Sequence, residues 1–377
     1  MQNKASRHGE FAAVSVVIVN YNAGDLLVDC VNAALAQARQ VVAIDNASSD
    51  SSLERLESCH KGEPRLNILR NGTNLGFASG CNIGIRRCTE RHILFLNPDC
   101  VLAQGSLARM LEVLNTSPDN GMVGCLLLGP DGNEQAGARR SVPTPWRSFV
   151  RAFGLTRLAQ RWPRLFDDFH LHEQPLPESP VLIEAISGAL MLVRKEALDD
   201  VGSWDEGYFL HCEDLDLCMR FRQKGWNILF DPGASAIHIQ GTCSKSRPVF
   251  VEWHKHKGMV RFYRKFFRHQ YPGMLMWLVV LGVWSRFTMV ATVKICRINT
   301  PPAPCPKPYF EQQEAAGQRG NSIEVSNLRK DVRVASKTDM PGQILLPKLA
   351  RQGDKGISFS WEHMATHKPE HVDIDWR

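Results

Sequence analysis

The first hundred residues alternate between apolar, β-branched runs and stretches with helical spacing. The apolar runs are nearly continuous, as expected for strands that are covered on both faces. They predict four strands: Val14–Asn20, Val41–Asp45, Leu66–Arg70 and His92–Asn97. Helices are predicted over Asp25–Gln37 and Ala78–Arg87. This order is typical of βαβ units, so we predict an α/β fold with a Rossmann-like, mostly parallel sheet flanked by helices.

A second patterned stretch begins after a small-residue turn at Ser187. An apolar strand is predicted over Ala189–Val193 and a short helix after it, followed by a loop that contains Trp204 and Tyr208. Three acids then open another helix: Glu213, Asp214 and Asp216. Leu217, Cys218 and Phe221 form the apolar face of this helix, and Gly225 stands where a C-terminal cap belongs.

Polar residues follow each of the first four predicted strands. They are Asn20-Tyr21-Asn22, Asp45-Asn46, the loop Asn74–Asn82 and Asn97-Pro98-Asp99. Each loop alone is explained by the turn preference of Asn, Asp and Gly. Ligands of parallel sheets bind at the carboxyl ends of the strands, however, so four such loops at one edge indicate a binding site. Neither GxGxxG nor GxxxxGK[ST] follows the first strand, which argues against a dinucleotide or P-loop site.

Composition, charge and cysteine count leave the predicted fold and binding site unchanged. The chain has 377 residues, a hydrophobic fraction of 44% and a formal net charge of +6. The basic excess is concentrated in Arg247–Arg268 and indicates a local surface, so a nucleic-acid partner is not expected. Eleven scattered cysteines without a CxxC pair favour reduced thiols in a cytoplasmic protein.

The C-terminal third has a different pattern. Phe250–Arg268 is predicted to be a basic, aromatic helix, and Met274–Val293 is apolar over twenty residues with one charge, Arg286. That length can span a bilayer, although the arginine disfavours insertion and leaves a buried or interfacial helix as the alternative. Thr300–Arg377 is predicted to be disordered, because its composition supports no apolar period.

The motifs together resemble the family 2 glycosyltransferases, in particular the rhamnosyltransferase-like bacterial branch. The resemblance covers Ala13–Arg268 and is carried by VSVVIVNYN, VVAIDNASSDSS, NGTNLGFASGCNIGI, LFLNPDC, SGALMLVRKEAL, SWDEGYFLHCEDLDLCMRFRQKGW and His238. It implies an A-type glycosyltransferase fold that uses a nucleotide-diphosphate sugar. The expected divisions are a tail (1–12), a nucleotide-sugar half (13–130), a variable lid (131–180), an acceptor half (181–270), an apolar helix (271–298) and a tail (299–377).

The resemblance assigns donor contacts to the strand-end loops. Asn20, Tyr21 and Asn22 would line the base and ribose, and Asp45 would contact the base. Asp50 either lies nearby or caps a helix. The loop containing Asn74 and Gly76 would pack under the nucleotide, and glycine there permits close backbone approach. Gly188 and Ala189 would admit the donor sugar and its diphosphate.

A divalent metal is the implied cofactor. The family's Asp-x-Asp motif is Asn97-Pro98-Asp99 here, and its last acid is the one that normally touches the metal. His238 resembles the second metal contact, although a lone histidine at a strand end is more often structural. Ligands of this kind suit Mg²⁺ or Mn²⁺.

The acidic stretch resembles the family's acceptor site. Asp214 would be the general base, supported by Glu213, and a single base gives inversion. Asp216 is assigned a structural role, since acids in the first turn of a helix are favoured by its dipole. Trp204 and Tyr208 would stack on an acceptor sugar unless they belong to the core. Asp205 and Glu206 would either hold the loop or bind acceptor hydroxyls.

Three functions remain open from the sequence. The first is an inverting transferase that uses dTDP-rhamnose, acts on a saccharide or lipid-linked saccharide in cell-surface polysaccharide synthesis, and works at the cytoplasmic face of the inner membrane. The second keeps the family but takes another dTDP-, UDP- or GDP-sugar. The third is a non-catalytic nucleotide-sugar-binding scaffold, suggested by Asn97 in place of an acid.

Overall fold

The computed structural model describes residues 11–298, apart from residues 167, 168, 170 and 240–246. The predictions for Thr300–Arg377 and for most of the N-terminal tail lie outside the described residues. The strands are β1 Ala12–Asn20, β2 Ala38–Asp45, β3 Leu66–Arg70, β4 His92–Leu96, β5 Cys100–Leu102, β6 Asn120–Leu128, β7 Arg139–Arg140, β8 Val181–Leu182, β9 Ala185–Ile186, β10 Leu190–Arg194 and β11 Asn227–His238.

The helices separate these strands in the order that the pattern predicts for the first half. They are α1 Leu26–Leu35, α2 Ser52–Cys59, α3 Phe77–Ile85, α4 Ser106–Leu114, α5 Pro145–Ala152, α6 Pro163–Phe166, α7 Lys195–Val201, α8 Glu213–Gln223, α9 Pro248–Phe266 and α10 Met274–Ile298. A 3₁₀ helix, Leu155–Gln160, lies between α5 and α6.

The four predicted strands form one half of the main sheet in the order β3-β2-β1-β4. β1 runs parallel to β2 and β4, and β2 runs parallel to β3. Val17 and Val19 of β1 pack in one core, whereas Val16 and Ile18 pack in the core on the opposite face. The sheet is therefore covered on both sides, which explains why the sequence of β1 shows no polar alternation.

The other half of the sheet is mixed. β10 lies between β4 and β6 and is antiparallel to both. β11 runs parallel to β6 but antiparallel to β5 and β8. The sequence patterns gave no assignment for β6 and α4, although the nearly continuous burial of β6 accords with its apolar run. The predicted α/β class, with a mostly parallel central sheet flanked by helices, is confirmed.

Helix α8 has the predicted apolar face. Leu217, Cys218 and Phe221 are fully buried, and Phe221 packs so closely on Gly121 that a Cβ there would lie 2.9 Å from its ring. Gly225 follows the helix with φ of +86°, and its N–H donates to the Arg222 carbonyl (3.0 Å). This left-handed residue confirms the predicted helix stop.

The last two described helices form a hairpin. Trp253 of α9 contacts Trp284 and Phe287 of α10, with ring centroids 4.9 and 5.6 Å apart. Near the open end of the hairpin, Lys294 Nζ lies 2.8 Å from Glu252 Oε1. Over Met274–Cys296 the apolar helix has the length and composition to cross a membrane. α10 thus combines one face that packs on α9 with another that is exposed.

Candidate active site

A cavity of about 610 Å³ opens at the carboxyl ends of β1 and β4, beside the start of α8. Ten of the predicted site residues line it: Tyr21, Asn74, Gly76, Asn97, Asp99, Gly188, Ala189, Glu213, Asp214 and His238. Asn46, from a predicted strand-end loop, also lines it, as do residues that the sequence patterns did not assign to the site, among them Phe209, His211, Arg247, Phe250 and Val251. The strand-end loops and the acidic turn therefore share one cleft.

Asn20 and Asp45 lie beneath the cleft wall. They are 1% and 4% exposed, and Asn20 Nδ2 donates to Asp45 Oδ1 at 2.8 Å. Asp45 also accepts from the Ser48 hydroxyl (2.6 Å) and backbone N–H (3.0 Å). This network joins the ends of β1 and β2. The predicted contact of these two side chains with the nucleotide stays a prediction.

Asn22 and Asp50 order the neighbouring loop. Asn22 has φ of +55°, and its Oδ1 accepts the backbone N–H of Ser49 at 2.7 Å. Asp50 accepts the N–H groups of Gly24 (2.9 Å) and Ser52 (3.1 Å). The second contact reaches the first residue of α2, but Ser51 is the N-cap of this helix, so Asp50 is not the cap residue.

The turn at Gly76 allows a close backbone approach. Gly76 has φ of +86°, and a Cβ built on it would lie 2.5 Å from the Phe209 carbonyl oxygen. Its N–H donates to Asn74 Oδ1 (2.9 Å), and its carbonyl accepts from Asn46 Nδ2 (3.0 Å). The loop between β3 and α3 is thereby fixed against the loop that leads into α8.

Asp99 and His238 face each other across β5 and β11. His238 Nε2 lies 3.2 Å from Asp99 Oδ1, and His238 Nδ1 lies 2.7 Å from Gln135 Oε1. Asp99 Oδ1 is buried without a hydrogen-bond donor. A buried carboxylate oxygen that lacks a hydrogen-bond donor requires another partner. Together with an imidazole that Gln135 orients, it fits a divalent cation.

Cys100 adds a third potential ligand near this pair, since donor atoms of Asp99, Cys100 and His238 all lie within 4.8 Å of one another. Burial, followed by the Asp99 charge, raises the pKa of the Cys100 thiol well above its usual range. A thiol that stays protonated is a poor metal ligand. The oxygen and nitrogen donors are therefore the better candidates.

Asp214 stands at the opposite side of the cleft, in the first turn of α8. It pairs with Arg140, and its Oδ2 accepts the Gly188 backbone N–H at 3.1 Å. β7 holds Arg140 opposite Ala185 of β9, three residues before Gly188. A Cβ on Gly188 would lie 3.0 Å from Asp214 Cβ, so glycine permits this approach.

Glu213 occupies a different environment from Asp214. It is buried, and its Oε2 has no hydrogen-bond partner. Burial and the adjacent Asp214 charge raise the pKa of Glu213 to about 8. At neutral pH the two neighbours are therefore a protonated acid and a carboxylate, an arrangement that separates acid and base roles.

The two residues before α8 have a strained backbone conformation. His211 and Cys212 have φ of +68° and +69°, which is rare outside glycine. The His211 side chain is exposed and lines the wall of the cleft. This backbone turn aims Glu213 and Asp214 at the cavity.

The predicted acceptor residues do not face the cavity. Trp204 and Tyr208 are each 2% exposed, and the Trp204 ring packs edge-on against Phe77 and Phe95. The prediction that these rings stack on a sugar is wrong in this structure, because neither presents an open face. The core alternative is the one observed.

Asp205 and Asp216 are held by cations. Asp205 pairs with Arg261 and Lys265, each at 2.8 Å, so the predicted binding of acceptor hydroxyls does not fit its position. Burial opposes ionisation of Asp205, but hydrogen bonds from Lys265 and Arg261 lower its pKa to about 2. Asp216 is fully buried and pairs with Arg220 (2.7 Å) and Lys265 (2.6 Å), which matches its predicted structural role.

Comparisons with known proteins show what the chain is similar to. Residues 15–201 match the model for "Glycosyl transferase family 2". N-acetylglucosaminyl-diphospho-decaprenol L-rhamnosyltransferase of Mycobacterium tuberculosis is 28% identical over 237 residues, which are 59% of this chain and 75% of that protein. Rhamnosyltransferase WbbL of Escherichia coli is 25% identical over 45% of this chain and 62% of its own length.

A solved mannosyltransferase from Pyrobaculum calidifontis, in complex with GDP-Man and Mn²⁺, covers 82% of this chain and 81% of its own at 16% identity and a TM-score of 0.48. The family match and the named relatives carry the assignment. The chain is a glycosyltransferase that matches family 2 over residues 15–201 and resembles bacterial rhamnosyltransferases.

Proposed function

We propose that this enzyme transfers L-rhamnose from dTDP-rhamnose, with inversion, to a saccharide or lipid-linked saccharide during cell-surface polysaccharide synthesis. Both the mycobacterial and the Escherichia coli relatives are rhamnosyltransferases, which supports the sugar. The mycobacterial relative uses a lipid-linked acceptor, which supports the acceptor class. The observation that carries the proposal is that Asp99, His238 and Asp214 line one cleft.

The two sides of the cleft would divide the substrates. In this proposal residues 13–130 bind the nucleotide sugar, residues 181–270 bind the acceptor, and residues 131–180 form a lid. Tyr21, Asn74 and Gly76 would contact the nucleotide, and Gly188 and Ala189 the sugar and diphosphate. All five line the cavity.

The donor set at Asp99 and His238 fits Mg²⁺ or Mn²⁺, with Asn97 close to the diphosphate. A cation bound there would neutralise charge on the departing nucleoside diphosphate. Gln135 holds the His238 ring by its second nitrogen, which fixes the imidazole orientation that a ligand requires.

Asp214 would act on the acceptor. Its carboxylate takes the proton of an acceptor hydroxyl while that oxygen bonds to the anomeric carbon and the bond to the diphosphate oxygen breaks. Attack from the face opposite the leaving group inverts the anomeric configuration. Arg140 and the Gly188 N–H hold the carboxylate in place, and protonated Glu213 would donate a hydrogen bond to a substrate oxygen.

The cytoplasmic face of the inner membrane suits a lipid-linked acceptor. Exposed apolar side chains on α10, such as Leu278 and Leu281, would contact the bilayer. The opposite face of α10 packs on α9 through Trp284 and Phe287. This packing favours a helix that lies in the interface over one that spans the membrane.

A donor panel tests the proposal directly. The full-length protein with Mn²⁺ is incubated with dTDP-rhamnose and with other dTDP-, UDP- and GDP-sugars, using a polyprenyl-diphosphate N-acetylglucosamine acceptor. We expect transfer from dTDP-rhamnose and an inverted anomeric signal in the NMR spectrum of the product. Preference for another donor would replace the sugar assignment and keep the enzyme class.

Retention of configuration would contradict the single-base mechanism. Binding of nucleotide sugars without transfer or hydrolysis of any of them would favour the scaffold alternative.

A further inference from the structure

An exposed aromatic surface lies within residues 145–166, none of which lines the cavity. On α5 the rings of Trp146 and Phe149 stack at 5.5 Å, and those of Phe149 and Phe153 lie 4.5 Å apart. Trp162 extends this row through Phe166, with ring centroids 6.3 Å apart. Trp146, Phe149, Phe153 and Trp162 are all exposed, so the row forms one apolar surface, which we call the aromatic patch.

Local contacts hold the aromatic patch together. Thr144 Oγ1 caps α5 by accepting the Arg147 N–H at 3.1 Å, and Pro145 occupies the first turn. Trp146 Nε1 donates to the Leu165 carbonyl at 2.6 Å, which ties α5 to α6. These contacts hold the apolar face of α5 on the protein surface, whereas such a face is usually buried in a soluble protein.

The charged residues within the segment that carries the aromatic patch have one sign. Residues 145–166 contain five arginines and no acidic residue. Arg157 and Arg161 are exposed, and the Arg161 guanidinium lies 5.5 Å from the centre of the Trp162 ring. Arg147 differs, because it pairs with Glu184 at 2.9 Å. Aromatic side chains mixed with exposed arginines complement a surface that is apolar below a layer of phosphate groups.

The aromatic patch is connected to the cleft and to α9. Arg140 lines the cavity, and α5 begins five residues later at Pro145. Ser148 of α5 also hydrogen-bonds the Tyr263 hydroxyl of α9 (2.7 Å). Movement or docking of α5 would therefore act on elements that border the cleft.

We propose that the aromatic patch is an interfacial membrane-binding surface that inserts Trp and Phe side chains at the headgroup level of an anionic bilayer. Arg157 and Arg161 contact lipid phosphates. The patch supplements the apolar face of α10 and brings the acceptor side of the cleft to the membrane. This inference deepens the proposed membrane location and does not depend on which sugar is transferred.

Vesicle binding by the full-length protein tests the patch. We expect sedimentation with phosphatidylglycerol-containing vesicles, weaker binding to pure phosphatidylcholine, and a loss of at least about tenfold in partitioning for Phe153→Ser/Trp162→Ser. Arg157→Glu/Arg161→Glu should weaken binding to anionic vesicles and reduce its salt sensitivity. Leu182→Ser is the matched apolar control, because Leu182 is 66% exposed and Phe153 is 68% exposed. Arg86→Glu is the charge control.

Hydrogen exchange separates the aromatic patch from α10. Anionic vesicles should slow exchange of the amides of residues 145–166 in the wild type, and this protection should vanish in the double aromatic variant. The inference is overturned if that segment exchanges equally with and without vesicles, or if the double aromatic variant binds like Leu182→Ser. Sugar transfer by the wild-type protein to a water-soluble acceptor, measured without vesicles, reports on the proposed function alone, which distinguishes a failure here from a failure of that function.

Discussion

Two adjacent carboxyl groups at the start of α8 differ because their surroundings differ. Asp214 meets a guanidinium and a backbone N–H, whereas Glu213 Oε2 is buried with no hydrogen-bond partner. The sequence shows two consecutive acids and cannot distinguish them, because the Arg140 partner is 74 residues away. The structure assigns the charged role to Asp214 and a protonated role to Glu213.

The raised pKa of Glu213, about 8, predicts a pH-dependent stability. Between the ordinary pKa of glutamate and this value, the folded state keeps a proton that the unfolded state releases, so stability falls as pH rises. From pH 5 to pH 8 the wild type should lose on the order of 1–4 kcal/mol more unfolding free energy than Glu213→Gln. Urea denaturation at both pH values measures this.

Glu196→Gln is the control for that comparison, because Glu196 is exposed and should follow the wild type. Equal pH slopes for the wild type and Glu213→Gln would refute the buried, protonated state.

The metal site allows a second prediction at the level of single residues. Asp99→Asn should lower the affinity for Mn²⁺ in the presence of dTDP by at least about tenfold, because it removes an anionic oxygen ligand. Cys100→Ser should leave that affinity nearly unchanged, since the Cys100 thiol stays protonated. Electron paramagnetic resonance of free Mn²⁺ gives both values. If only Cys100→Ser lowered the affinity for Mn²⁺, Cys100 and not Asp99 would be the metal ligand.

At the scale of elements, patterns that are local in sequence were predicted well. β1 to β4 and the stop of α8 at Gly225 follow from runs and spacings within a few residues. The position of β10 between β4 and β6 was not predictable, since a strand sequence does not state its neighbours. Burial of Trp204 and Tyr208 likewise depends on what α3, β4 and α9 bring against them.

The turn into α3 supplies a prediction about an element. Gly76→Ala should destabilise the fold by about 1–3 kcal/mol, because alanine disfavours the left-handed conformation and its Cβ would meet Phe209. Gly72 in the same loop has open space around it and no positive φ. Gly72→Ala should therefore stay within about 0.5 kcal/mol of the wild type. Denaturant unfolding of both variants checks the pair, and equal losses would argue against the close approach.

At the scale of the whole molecule, the cleft joins two halves of one sheet. The parallel half supplies Tyr21, Asn74 and Asp99, and the mixed half supplies Gly188 and His238. Family resemblance anticipated most of this cleft from motifs. It did not anticipate Arg140 as the partner of Asp214 or His211 at the wall, because the polar pattern of a loop does not show which side chains turn inward.

The most direct test of Asp214 as the general base compares turnover of the wild type, Asp214→Asn and Asp199→Asn with the preferred nucleotide sugar and acceptor. Asp199 is exposed, and its variant should match the wild type. We expect Asp214→Asn to bind the donor normally and to lose about 10²–10⁴-fold in kcat, because an amide cannot take the acceptor proton. Unchanged turnover in Asp214→Asn would show that this carboxylate is not the general base.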